Sequence, residues 1–179
     1  MDISAPAVFL ATSTIPLAES GYYVIPVAVS HEMFIQNGVH SPEDVRSISY
    51  GRLREIFGAD AALYITVTHF GVSYQVVRSV VQASASARLV DLRTGQELWS
   101  GQTSVEQSSG NSIMPGGNIG QQLLGMVIEA AVTQVINAIT NPSYGVGKEA
   151  NYMLLSAQKP EKNPMSILYG PYHPGFGKD

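Results

Sequence analysis

The sequence predicts an α/β domain, a layered sandwich in which helices flank a mixed, largely antiparallel sheet of about four strands. Three observations lead there. Between Leu63 and Gln107 the side chains alternate: Val77, Val81, Ala83, Ala85, Ala87 and Leu89 are apolar or small, whereas Arg78, Gln82, Ser84, Ser86 and Arg88 are polar. A strand with one buried and one wet face has this pattern. The turn Arg93-Thr94-Gly95-Gln96, with glycine supplying a positive φ, then returns the chain into Glu97-Leu98-Trp99-Ser100. Ahead of both strands, Ser41-Pro42-Glu43-Asp44 combines a cap, a first-turn proline and acids at the positive end of a helix dipole.

From the amino terminus, Ser4 caps a helix with Pro6 at its second position, where proline is tolerated. This helix carries Val8, Phe9 and Leu10, is interrupted or bent near Pro16, and closes with Leu17-Ala18-Glu19 before Gly21. Tyr22 to Val29 is an apolar run of strand length, with Pro26 marking an edge or a bulge. Ser30 caps a short helix carrying Met33, Phe34 and Ile35, which Asn37-Gly38 stops. The helix from Ser41 is expected to reach Phe57, burying Val45, Ile48, Leu53 and Ile56 or Phe57, and to end at Gly58. Leu63, Ile65 and Val67 open the next strand on one face, with Tyr64, Thr66 and Thr68 on the other.

Gln107 to Gly120 reads as a loop rich in glycine, serine and asparagine. A long helix follows from Ile119 to Ile139, polar along one stripe and apolar over most of the rest, and Asn141-Pro142 stops it. A second helix covers Lys148 to Ala157. Residues 1–159 are thus read as one domain. Residues 160–179, dense in proline, glycine and aromatic side chains, form an extended tail packed on that domain or on a partner subunit.

A chain of 179 residues suits one domain with a sizeable core. Only 13% of it is charged and 45% is hydrophobic, so it must bury much of itself or lean on a partner. The net charge of −4 offers no footprint for nucleic acid. With no cysteine, disulfides and thiolate metal sites are excluded.

No motif carries chemistry, and no catalytic, cofactor or metal residue is assigned. His31-Glu32 lacks the second histidine of a zinc-protease helix, and His69 is expected to face the sheet core beside Val67 as a structural residue. The loop before Ile119 matches neither the P-loop nor the dinucleotide fingerprint. The helix from Ile119 has the length to span a membrane, but Gln121, Gln122, Glu129, Gln134 and Asn137 interrupt it. It is expected to pack on the sheet, where Ala83, Ala85 and Ala87 offer a flat seat for a helix. Part of its wide apolar face (Leu123, Leu124, Val127, Ile128 and Val135) is the candidate self-association surface. In the tail, Tyr169, Tyr172 and Phe176 lie on a low-entropy ribbon suited to docking a partner.

Four strings are more specific: GYYVIPV (Gly21 to Val27), LREIFGADAALYITVT (Leu53 to Thr68), ARLVDLRTGQELWSG (Ala87 to Gly101) and ILYGPYHPGFGKD (Ile167 to Asp179). Together they resemble, over nearly the whole chain, a family of bacterial outer-membrane lipoproteins of unknown function, the neisserial vaccine-candidate antigen type. More distantly, the helix-to-strand junction at Gly58-Ala59-Asp60 and the Asp91 to Gly95 turn are similar to the curli-secretion lipoprotein and the TolB amino-terminal domain. The resemblance implies a layered α/β domain of TolB amino-terminal type on the periplasmic side of the outer membrane, tethered by a lipidated cysteine. It implies a homodimer and a non-catalytic scaffold or adaptor of an envelope transport or assembly system.

The chain departs from that pattern in having neither cysteine nor lipobox, nor the strand that family members carry before the segment matching Ala5 to Gly21. It is read as lacking its native start, with a sheet edge exposed. Curli-type relatives build a ring-shaped secretion channel, and that is the alternative function. Its converting segment here, Gly110 to Ile139, lacks the alternation of a barrel strand. A periplasmic hydrolase is the remaining alternative and requires a pocket with a shifted histidine or carboxylate.

Overall fold

Three long strands organise the molecule in a computed structural model that describes residues 5–74, 79–109, 143–159, 162–163 and 165–178. Strands β1 (Ala61–Tyr74), β2 (Ser79–Asp91) and β3 (Glu97–Ser109) form an antiparallel sheet in the order β1-β2-β3. The meander read from the alternation is therefore present, with three strands among the described residues. Its β2–β3 turn is held by Asp91, whose carboxylate accepts from the backbone N–H groups of Arg93 (2.7 Å) and Thr94 (2.8 Å) while Gly95 takes φ +75°. Those backbone donors, Thr94 foremost, hold the Asp91 carboxyl below the usual carboxylate range.

Helices α1 (Ala5–Glu19) and α5 (Ser143–Leu155) pack together and cover one face of the sheet. They can do so because β2 presents Val81, Ala83, Ala85 and Ala87 to that face, all nearly inaccessible. The seat of small residues thus holds α5, which begins at Ser143 rather than near Lys148. Phe9 of α1 meets Phe70 of β1 edge-to-face at 6.2 Å. The buried Asn151 amide of α5 donates to the Phe9 carbonyl (2.6 Å) and to the Thr12 hydroxyl (2.8 Å), tying the two helices together. Helix α1 runs without interruption through Pro16.

Three local readings need correction. Tyr22 to Val29 is not a strand: 22–26 is irregular, and helix α2 (Val27–Gln36) begins directly after Pro26, ahead of Ser30. Proline at a helix start loses no internal hydrogen bond, so Pro26 opens a helix instead of interrupting a strand. The helix from Ser41 breaks into α3 (Pro42–Ser47) and α4 (Tyr50–Phe57) because Ser49 caps anew, its hydroxyl accepting from Arg52 N–H. Residues 107–109 continue β3 instead of opening the loop. The capping box at Ser41 is in place, with Asp44 Oδ2 accepting from Ser41 N–H at 2.9 Å. The helix read over Ile119 to Ile139, its stop at Asn141-Pro142 and the candidate residues Leu123, Leu124, Val127, Ile128 and Val135 lie outside the described residues.

The carboxyl-terminal segment closes the other end of α1. Gly170 N–H donates to the Ser20 carbonyl (2.8 Å), Tyr172 N–H to the Gly21 carbonyl (3.0 Å), and Tyr22 hydroxyl to the Leu168 carbonyl (2.7 Å). Gly21 takes φ +88°, and a Cβ on it would strike the His173 backbone, while one on Gly170 would strike the Gly21 carbonyl. Ile167 is buried in the core, and Trp99 Nε1–H reaches the Met165 carbonyl at 2.9 Å.

Candidate functional site

The sheet face opposite α1 and α5 is built from the polar alternates of the same strands. Gln82, Ser84, Ser86 and Arg88 of β2 face it, and Ser84 Oγ and Ser104 Oγ share a hydrogen bond of 2.8 Å across β2 and β3. A bulge at Thr68 changes which side chains of β1 join them. Val67 pairs with Ala85 but His69 pairs with Ser84, so Phe70 and Val72 turn towards the helices while His69 is exposed. The expectation of a core-facing His69 is therefore corrected: one extra residue reverses the alternation.

At one end of this open face, the α3–α4 junction leaves a cleft of about 200 Å³ lined by Arg46, Ile48, Ser49, Tyr50, Tyr64 and Arg88. Two of these are cross-strand partners, Tyr64 of β1 opposite Arg88 of β2. The Arg88 guanidinium carbon stands 4.8 Å from the Tyr64 ring centre, a cation–π geometry. Tyr50 packs beside the β2–β3 turn, its ring 3.1 Å from where a Cβ on Gly95 would sit. Partial burial, reinforced by Tyr50 and opposed by Arg88, raises the Tyr64 phenol above its ordinary range. The described residues contain one ion pair, Arg52–Glu55 at 3.1 Å, which leaves Arg46 and Arg88 without a carboxylate at that range.

This cleft was not singled out in the sequence. The register of the β1–β2 pair would have exposed Tyr64 opposite Arg88, but nothing in the sequence signals that Arg46 joins them. The four histidines are scattered: His31 on α2, His40 before α3, His69 on β1 and His173 in the tail. Among the described residues no group of three or more histidine, aspartate or glutamate side chains could hold a metal ion. No described helix is long and apolar enough to cross a membrane. In the tail, Tyr169 stacks on His173 with ring centres 3.9 Å apart, whereas Tyr172 and Phe176 are 78% and 56% exposed.

Residues 1–172 match the family described as "Putative lipoprotein GNA1162-like". The chain belongs to that family. Over 155 residues it is 47% identical to the "Putative lipoprotein NMB1124/NMB1162" of Neisseria meningitidis serogroup B, an alignment covering 87% of this chain and 69% of that protein. Among solved structures it is similar to the crystal structure of lipoprotein GNA1162 from Neisseria meningitidis. That match has TM-score 0.59 and 48% identity, and covers 76% of this chain and 90% of the other. The family resemblance carried by the four strings is thus correct, and so is the α/β class.

Proposed function

We propose that this member of the GNA1162-like lipoproteins is a non-catalytic scaffold or adaptor, lipid-anchored at the outer membrane and facing the periplasm, in an envelope transport or assembly system. The observation that carries the reading is the anchored tail. Its backbone is pinned to Ser20 and Gly21, yet Tyr172 and Phe176 project outward, with Tyr23 beside the pinning residues 79% exposed. Large aromatic side chains held on a fixed backbone lose little entropy on docking and are typical anchors of protein interfaces. Membership of a lipoprotein family supports the membrane tether. The apolar residues Leu123, Leu124, Val127, Ile128 and Val135 supply the self-association surface of a homodimer in this reading.

The test is the absolute mass of the full-length, delipidated protein in solution, measured by light scattering behind a sizing column. A discrete dimer is the expected result, and Val127→Lys with Ile128→Lys reduces it to a folded monomer. A closed ring of many subunits overturns the reading in favour of a secretion channel.

A further inference from the structure

We propose that the cleft between the α3–α4 junction and the open sheet face is a binding site for a phosphate monoester. The chain has 14 acidic and 10 basic residues, yet two arginines from separate elements line one cleft that, among the described residues, no carboxylate lines. Two like charges so placed repel each other, and an anion between them relieves that repulsion.

Arg46 and Arg88 only donate. Ser49 already accepts from Arg52 N–H, so its own proton is free to give. Tyr64, held in its neutral form, keeps a phenolic proton, and Tyr50 supplies another. A lining this rich in donors suits a group that only accepts. A carboxylate is satisfied by one guanidinium fork, whereas the terminal oxygens of a phosphate monoester can engage two.

A cleft of about 200 Å³ is smaller than the ~300–1,000 Å³ of sites that enclose a whole small molecule. It holds the phosphate and the first atoms beyond it, against Ile48 and the Tyr50 ring. The remainder of the ligand lies over the hydroxyl-rich sheet face. The site holds or fails independently of the adaptor reading.

The experiment titrates the ¹⁵N-labelled full chain with phenyl phosphate, with benzoate, and with sodium chloride at matched ionic strength. Vesicles of phosphatidylcholine with and without phosphatidic acid are tested in parallel by co-sedimentation. The expected result is saturable amide shifts at Arg46, Ser49, Tyr50, Tyr64 and Arg88 with phenyl phosphate. Benzoate should bind about tenfold more weakly, and Arg46→Gln or Arg88→Gln should each weaken phenyl phosphate by about tenfold. Both arginines are exposed, so both variants are expected to melt with the parent, and Arg88→Lys keeps the charge while losing the fork. Arginine-dependent sedimentation with phosphatidic acid identifies a lipid headgroup as the source, and phenyl phosphate binding without it identifies a soluble ligand. The proposal is overturned by equal shifts from chloride, by benzoate binding as tightly, by binding that survives the double Arg→Gln variant, or by no response to either phosphate source.

Discussion

Strand β2 has two faces made from nearly the same atoms and with opposite fates. Ala83, Ala85 and Ala87 look towards α1 and α5 and are no more than 5% exposed, while Ser84 and Ser86, each one oxygen larger, look outward. Hydrophobicity alone separates these residues weakly. The covered face is decided by closeness: α5 brings Gly147 so near that a Cβ there would lie 2.7 Å from the Phe70 ring and 3.0 Å from Val8. On the other face the hydroxyls satisfy one another and the backbone, as Thr68 does by donating to the Ser84 carbonyl at 3.1 Å. An oxygen buried under α5 would have lost water without gaining a partner.

The contrast can be broken by mutation, and its sharpest test is Phe9→Ala. Removing a ring that is 1% exposed and packed on Phe70 is expected to cost about 3–5 kcal/mol in denaturant unfolding, and a loss under 1 kcal/mol (roughly that of a surface change) would mean that α1 does not seal this face. Gly147→Ala comes next, with a destabilisation of about 1–3 kcal/mol from overpacking. Its companion Gly145→Ala lies two positions earlier on α5 with nothing within 4 Å of the new methyl group. It is expected to stabilise by about 0.5–1 kcal/mol through helix propensity, so opposite signs at the two glycines fix which side of α5 meets the sheet. Ser86→Val on the open face should stay within about 0.5 kcal/mol of the parent. A larger loss would show that this face is covered.

The smallest effect concerns the turn that joins β2 to β3. Because the Asp91 carboxyl is depressed in the folded chain, its contribution is present above the unfolded carboxylate pKa and lost as pH falls through the folded one. Thermal midpoints should therefore drop as acid is added below the ordinary aspartate value of 3.8. Asp91→Asn keeps an acceptor for Arg93 and Thr94 and is expected to flatten part of that slope. An unchanged slope would remove the turn from the acid response.

Much of this architecture is legible before any coordinates, for local reasons. The alternation in β2, the Asp91–Gly95 turn and the Ser41–Asp44 box each depend on a few adjacent residues. What escaped depends on distant partners or on a residue with two meanings. Thr68 looks like any strand threonine, yet as the bulge it moves His69 to the open face and Phe70 beneath the helices. Ser49 inside an otherwise helical pattern carries no visible sign that it will act as a cap. Pro26 reads equally as a strand interruption or a helix start, and its aromatic and β-branched neighbours tilt the reading the wrong way. The cleft eluded the sequence because α3, β1 and β2 each contribute to it and no motif links them.

The crossing of Gly21 and Gly170 also sets an order of events during synthesis. The Tyr22 hydroxyl waits for the Leu168 carbonyl, 146 positions later, and Ser20 and Gly21 wait slightly longer for Gly170 and Tyr172. A ribosome therefore releases α1 long before the residues that finish its carboxyl-terminal end exist. Throughout translation the Ser20 and Gly21 carbonyls at the end of that helix lack these partners until Gly170 and Tyr172 emerge. Contacts this remote slow folding and lengthen the exposure of sticky intermediates. Shortening the chain ahead of Gly170 would thus leave its first helix permanently unfinished.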